Sequence, residues 1–307
     1  MFDLRRLKVV KAIVDTGSVS AAAAQLSYTP SAVSQQMRAL EKETGTVLLE
    51  AAGRGVRPTP AALLLAEHAG RVLAAVQQAE EALAALRAGQ MGRVRVAAFP
   101  TAGSALVPEA LAVFEQNLPN VALDLVVAET DQSLANLRSG TIDVAIVVEP
   151  FGRGHAPEDG LYRRHLLADP FRVVLPRNHV LARKRAVDLV SLAKERWIGV
   201  SSCPGSCQQV VSDACRRAGF DPAYNLEADE YPTAQGFVAA GLGVALVPLL
   251  ALGAAAHAGV AVRRVSGDQP VRDVWAVTRP AIAKQLPVHE MLADLEQAAA
   301  RFLAAQA

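Results

Sequence analysis

Along the first 60 residues the apolar positions recur at three- and four-residue intervals, interrupted twice by small and polar residues. Leu4, Leu7, Val10, Ile13 and Val14 form one stripe, which predicts an amphipathic helix stopping near Gly17. Ser18 or Ser20 caps a second, alanine-rich helix that ends near Leu26. After Ser27 and Tyr28, Thr29 stands as an N-cap with Pro30 at the first helical position. Two short helices joined by so tight a turn predict a helix-turn-helix. From Pro60 to about Ala88 the apolar positions Leu65, Ala69, Val72, Val76, Ala79, Leu83 and Leu86 keep a 4-3 spacing. That seam predicts one long helix with a partner, either a second copy of the chain or the rest of its own.

Beyond Gly89 to Gly92 the pattern changes to apolar runs alternating with amphipathic stretches. Strands are expected at Val94–Phe99, Val121–Ala128, Val144–Val148, Phe171–Leu175 and Val244–Val247. Helices are expected over Leu106–Phe114, Gln132–Arg138, Gln208–Arg217 and Pro287–Ala304. The alternation predicts a mostly parallel α/β sheet. Residues 236–256 carry no charge and would be long enough to cross a bilayer, but Gly241, Gly243, Pro248 and Gly253 break them up. A buried helix–strand–helix unit, its second helix beginning at Pro248, is the expectation there.

The chain has 307 residues, 51% hydrophobic and 20% charged, enough for two or three units with sizeable cores. A formal net charge of +1 excludes a uniformly basic nucleic-acid coat and a polybasic membrane anchor. The charge is nevertheless uneven. Residues 1–58 hold eight basic side chains against five acidic ones, so a +3 head sits on a body of −2. That asymmetry is expected of an N-terminal nucleic-acid reader. Three cysteines are too few for a disulfide-stapled secreted scaffold, and the opening residues read as a helix rather than a signal peptide, which points to the cytoplasm.

The third helix carries two faces. Val33, Met37 and Leu40 make an apolar one, while Ser31, Ser34, Gln35 and Arg38 share the other. Small residues allow close approach to a base pair, Gln pairs bidentately with adenine, and Arg with guanine or phosphate. A Gly-rich hairpin follows, whose Arg54 and Arg57 can hold phosphates or enter the minor groove of double-stranded DNA.

These segments resemble a LysR-type transcriptional regulator over essentially the whole chain. The resemblance runs through residues 17–26, 31–41 and 45–59, then through 137–146 and 238–248. It implies a winged helix-turn-helix at 1–58, a dimerising linker helix at 59–89 and an effector-binding domain at 90–307, similar to periplasmic solute-binding proteins. In that domain one lobe takes about 90–165 and 269–307, the other about 166–268. It further implies a homodimer joined through Leu65, Val72, Val76, Leu83 and Leu86, a homotetramer, effector-tuned DNA bending, and RNA polymerase as a further partner. Departures bear on base preference. Pro30-Ser31 replaces a frequent Gln-Pro, and Gln35, Ala51 and Ala62 stand where Arg, Arg and Gly are usual. The variant over residues 29–35 is similar to the branch controlling basic amino-acid export.

In such a two-lobed receptor the ligand sits at the carboxyl ends of strands. Thr101, Ser104, Thr130, Glu149, Ser201, Ser202, Ser206 and Thr233 are the candidates, and each is equally suited to cap a helix. Glu149 would favour an amine, so an amino acid or small carboxylate is the expected effector. The peroxide-sensing branch keeps two cysteines in this region, which makes Cys207/Cys215 or Cys203/Cys207 an alternative redox pair. No hydrolase elbow, P-loop or metal-protease motif occurs and the six histidines show no ligand spacing, so neither an enzyme nor a cofactor or metal site is expected. A solute-binding protein without DNA activity is the remaining alternative.

Overall fold

The computed structural model describes residues 3–52, 55–88, 92–150, 160–201, 206–253 and 256–306. They form two compact units, Met1–Gly92 with Ala135–Thr141, and Arg93–Leu134 with Ile142–Ala307.

The first unit follows its local signals. Helix α1 (Leu4–Thr16) is capped by Asp3 and ends at Gly17, whose φ of 67° is the left-handed conformation glycine adopts without strain. Ser18 caps α2 (Val19–Leu26) by accepting from the Ala21 N–H, and Thr29 caps α3 (Pro30–Thr44) by accepting from Ala32. Leu7, Val10, Ile13, Ala22, Val33, Met37 and Leu40 close one core between these helices. The strands β1 (Leu49–Ala52) and β2 (Gly55–Pro58) pair antiparallel as the expected hairpin. Glu41 ties it to α3, because its Oε1 accepts from the N–H groups of Leu48 and Leu49 at 2.9 and 3.1 Å. Thr59 then caps α4 (Pro60–Ala88), the expected long helix.

The second unit opens with β3 (Arg93–Ala98), α5 (Pro100–Ala105), α6 (Val107–Asn117), β4 (Ala122–Val127), α7 (Thr130–Ser139) and β5 (Val144–Pro150). The helix expected over Leu106–Phe114 is α6, with Pro108 in its first turn, and a further short helix, α5, precedes it. Next come β6 (Tyr162–Pro176), β7 (Ala186–Val187), β8 (Trp197–Val200), α8 (Ser206–Arg217) and β9 (Tyr224–Ala228). The chain closes with α9 (Tyr231–Ala239), β10 (Ala245–Pro248), α10 (Leu249–Leu252), β11 (Val260–Val265), β12 (Val271–Thr278) and α11 (Leu286–Ala305).

The main sheet runs β4-β3-β5-β12-β6-β11-β7, with β10 also on β6. It is mixed rather than mostly parallel. β3 is parallel to β4 and β5, but β12 is antiparallel to both β5 and β6, and β10 and β11 are antiparallel to β6. The cause lies in β6, whose 15 residues include the shorter strand expected at Phe171–Leu175. Its first part, to Pro170, pairs with β12 and its remainder with β10 and β11. One strand carries the chain from one half of the unit to the other, and its neighbour β12 carries it back. Neighbouring outward and return strands must be antiparallel.

Two resemblance-bearing segments are explained by packing. Asp143 is buried, takes Nε of Arg95 at 3.0 Å and Nη2 of Arg279 at 3.0 Å, and so joins β3, β5 and the end of β12. Gly243 is required because a Cβ there would meet the Arg196 carbonyl oxygen at 2.6 Å. The uncharged run is α9, β10 and α10 in order, and no described helix is long and apolar enough to cross a membrane.

Candidate functional site

In the first unit, burial of Val33, Met37 and Leu40 turns the opposite face of α3 to solvent, with Ser31, Gln35 and Arg38 exposed. Ser34 is half-buried and donates to the Pro30 carbonyl at 2.9 Å, while Ser31 Oγ lies 3.0 Å from Thr29 Oγ1. Arg57 is exposed on β2. Among the described residues neither Arg38 nor Arg57 has an ion-pair partner, so both remain available to phosphates, whereas Arg6 is held by Glu43 at 2.8 Å. Tyr28, 43% exposed in the turn between α2 and α3, joins this surface. A lone aromatic in a two-residue turn carried no periodic signal.

In the second unit the central feature is a buried arginine. Arg272, Val274 and Ala276 alternate along β12 and all face inward, which leaves Arg272 only 1% exposed. An isolated guanidinium there would be prohibitively costly, and Asp169 on β6 offsets it, fully buried with its Oδ2 2.8 Å from Nη2 and 2.9 Å from Nε. Burial raises the Asp169 carboxyl, while Arg272 and the N–H groups of Leu250 and Leu249 lower it. Arg272 also donates to Thr101 Oγ1 at 2.9 Å and to Cys207 Sγ at 3.2 Å, and lies 5.1 Å from the centre of the Phe99 ring.

This guanidinium forms one wall of a cavity of about 210 Å³. Phe99, Pro100, Pro232 and Ala251 supply apolar walls, while Thr101, Ser104, Glu129, Glu230 and Tyr231 supply the polar ones. Burial pushes the Tyr231 phenol up to about 12, so it faces the cavity neutral. Burial also raises Glu129, with Arg272 pulling it back. Since Asp169 already neutralises Arg272, ionisation of the two glutamates gives the cavity an excess of negative charge.

Glu129 sets a pH dependence. With its folded value raised, its contribution to stability is full below the ordinary carboxylate range and lost as pH rises through that raised value. A cationic ligand prefers the ionised form, so affinity for an amine should climb as pH rises from the ordinary carboxylate range through that raised value and then level off. Calorimetric titration across that range should show the climb in the parent protein and a flat profile in Glu129→Gln.

Comparison with known proteins decides the family. The model of the LysR substrate binding domain matches residues 87–300, and that of the bacterial regulatory helix-turn-helix protein, lysR family, matches residues 4–63. The chain belongs to the LysR family of transcriptional regulators. It is 31% identical over 306 residues to the HTH-type transcriptional regulator CbbR of Xanthobacter flavus, covering 98% of this chain and 89% of that one. It is 28% identical to a hydrogen peroxide-inducible genes activator of Pectobacterium carotovorum subsp. carotovorum, covering 91% and 90%. The crystal structure of CbnR, a LysR family transcriptional regulator, shares the fold with a TM-score of 0.68 at 24% identity, covering 98% of this chain and 99% of that one. The family consists of DNA-binding regulators rather than enzymes, and its helix-turn-helix overturns the reading as a solute-binding protein without DNA activity.

For this LysR-type regulator the structure brings Thr101 and Ser104 to the cavity. Thr130 instead accepts the Val148 N–H, and Glu149 pairs with Arg163 at 2.7 Å. Ser201 donates to the Ala228 carbonyl, and Thr233 is exposed on α9. Arg54, Ser202 and Cys203 lie outside the described residues, as do the side chains of Ser206 and Leu86. Cys207 is disulfide-bonded, whereas Cys215 is a free thiol that burial pushes up to about 12, so Cys207 and Cys215 do not pair here. Glu129, Glu230, Asp169 and Arg272 are the residues that local sequence reasoning missed.

Proposed function

We propose that this LysR-type regulator binds its promoter through Ser31, Ser34, Gln35, Arg38, Arg54 and Arg57, and that a small ammonium-bearing effector, best an amino acid, tunes that binding. The observation that carries the effector reading is the cavity at Arg272, where Glu129 and Glu230 face an arginine already neutralised by Asp169. Two carboxylates repel a simple dicarboxylate, whereas an amino acid sets its ammonium against them and its carboxylate against Thr101 and Ser104. Thr130, Glu149 and Ser201 then hold the surrounding strands through their own contacts. A thermal-shift panel of amino acids, amines and small carboxylates tests this, because a ligand of the native state raises the melting temperature. Amino acids should stabilise the parent but not Glu129→Gln/Glu230→Gln. Stabilisation by dicarboxylates alone would contradict it.

A second reading, redox sensing, draws on one observation: the disulfide-bonded Cys207 contacts Arg272 at the cavity. A peroxide-dependent change in DNA affinity that is lost in Cys207→Ser and kept in Cys215→Ser would favour it over the amino-acid reading.

The working unit is a cytoplasmic homodimer, assembling further into a tetramer that bends DNA and meets RNA polymerase. Its parts are a reader at 1–58, a linker at 59–89 and an effector domain at 90–307 with lobes at about 90–165 with 269–307 and about 166–268. The dimer is joined along α4. Leu65 packs partly on the reader's core, but Val72 and Leu83 are 42% and 55% exposed, and Leu63 and Leu64 are exposed too. Leu64 and Val72 border an apolar groove of about 430 Å³. So much exposed aliphatic surface on one helix calls for a partner. Val72→Glu/Leu83→Glu should raise the dimer dissociation constant about tenfold or more in sedimentation experiments. An unchanged dimer would remove α4 from the interface.

A further inference from the structure

A second site in this regulator lies at the far edge of the sheet, around β11 and β7. A groove of about 530 Å³ is lined there by Arg172, Arg183, Lys184, Arg185, Arg263 and Arg264, and no acidic residue lines it among the described residues. None of the six has an ion-pair partner among the described residues. Arg263 is committed to the scaffold, donating from Nε to the Ala182 carbonyl at 2.8 Å and from Nη1 to Val262 at 2.6 Å. Arg172 donates from Nη1 to the Phe171 carbonyl at 3.4 Å, and Arg183, Lys184, Arg185 and Arg264 complete the lining.

Arg172 and Arg264 are directly opposite each other across the β6–β11 ladder. Like charges so placed destabilise a sheet. Arg172 is half-buried, and both burial and Arg264 lower its pKa, while the opposing carboxylate of Asp169 is already bound to Arg272. Folding has therefore assembled a concave cationic surface with an internal repulsion that an anion would relieve. Five of the six cations are arginines, whose planar forks match phosphoryl oxygens two at a time. The volume falls in the range of small-ligand pockets.

We propose that this groove binds a small anion carrying two or more phosphoryl groups, as a site separate from the cavity at Arg272. Bound between Arg172, Arg264 and the 183–185 run, the anion bridges β6, β11 and β7 and stiffens that edge of the sheet.

Thermal-shift and calorimetric titrations of the full chain with pyrophosphate and tripolyphosphate, against citrate at matched ionic strength, test the proposal. Both phosphates should raise the melting temperature by about 5 °C at saturation, citrate by much less. The shift should vanish in Arg183→Gln/Arg185→Gln, whose side chains are exposed, and persist in Arg38→Ala/Arg57→Ala on the reader. At low salt Arg264→Gln should melt about 1–3 °C above the parent without ligand, because the cross-strand repulsion is gone. An equal response to citrate, or a shift that survives Arg183→Gln/Arg185→Gln, would overturn the proposal. So would a loss of duplex-DNA affinity in that variant with the pyrophosphate shift intact, which would make the groove a nucleic-acid track.

Discussion

Asp169→Asn should destabilise the effector-domain unit by about 3–5 kcal/mol and lower its melting temperature by about 10 °C. The asparagine oxygen can still accept the Leu250 N–H that Asp169 Oδ1 holds at 3.1 Å, so the backbone contact is kept. What is lost is the charge that balances Arg272, whose side chain is only 1% exposed. Breaking a buried ion pair costs more than the pair contributes, because the surviving charge remains desolvated. Asp169→Asn/Arg272→Met should consequently recover most of the loss, since methionine fills a similar volume without a charge. Differential scanning calorimetry on the three proteins checks this. A single variant melting within a degree or two of the parent would show that Arg272 reaches water. The pair is also where stability and function meet, as the same guanidinium that needs Asp169 presents itself to the cavity and to Cys207.

On the DNA side, Gln35→Ala should lower affinity for the operator by about 10- to 100-fold while leaving affinity for unrelated duplex nearly unchanged, because a bidentate base contact is worth about 1–3 kcal/mol of discrimination. Arg57→Ala should do the opposite. It removes a backbone contact on the hairpin, so binding weakens alike for all sequences and the salt slope falls by about one. The two residues sit on different elements, Gln35 placed by the burial of Val33 and Met37 beneath α3, and Arg57 by its cross-strand position opposite Glu50. Competition titrations with operator and scrambled DNA separate the two effects. Uniform losses in both variants would mean that α3 positions rather than reads.

How much of this was legible depended on how local each determinant is. The caps Ser18 and Thr29, the stop at Gly17 and the stripe of α1 act within one or two turns, and the expected helices of the reader are where their residues place them. Thr101 and Ser104 were legible for the same reason, since they follow a strand and open a helix next to the cavity. Strand direction is not local. Nothing near Tyr162 or Val271 announces that β6 and β12 carry the chain out and back, so the sheet was expected to be mostly parallel. The cavity's charges come from segments far apart in sequence, with Arg272 and its partner Asp169 separated by 103 residues. One signal was nevertheless present. In Val271–Thr278, Arg272 occupies the same alternate positions as Val274 and Ala276, and a cation on the inward face of a strand needs a buried anion nearby. Glu149 shows the converse: expected just past a strand, it lies within β5, where Arg163 engages it at 2.7 Å.

The central claim is that the basic head of a nearly neutral chain reads DNA through α3 and the hairpin. A fluorescence-anisotropy titration against DNA upstream of its own gene, repeated from about 50 to 200 mM salt, tests it most directly. With Arg38, Arg54 and Arg57 proposed to contact DNA in each subunit of a dimer, the logarithm of the affinity should fall steeply and linearly with that of the salt concentration, by several units per decade. Binding that is absent, or that does not change with salt, would contradict the account.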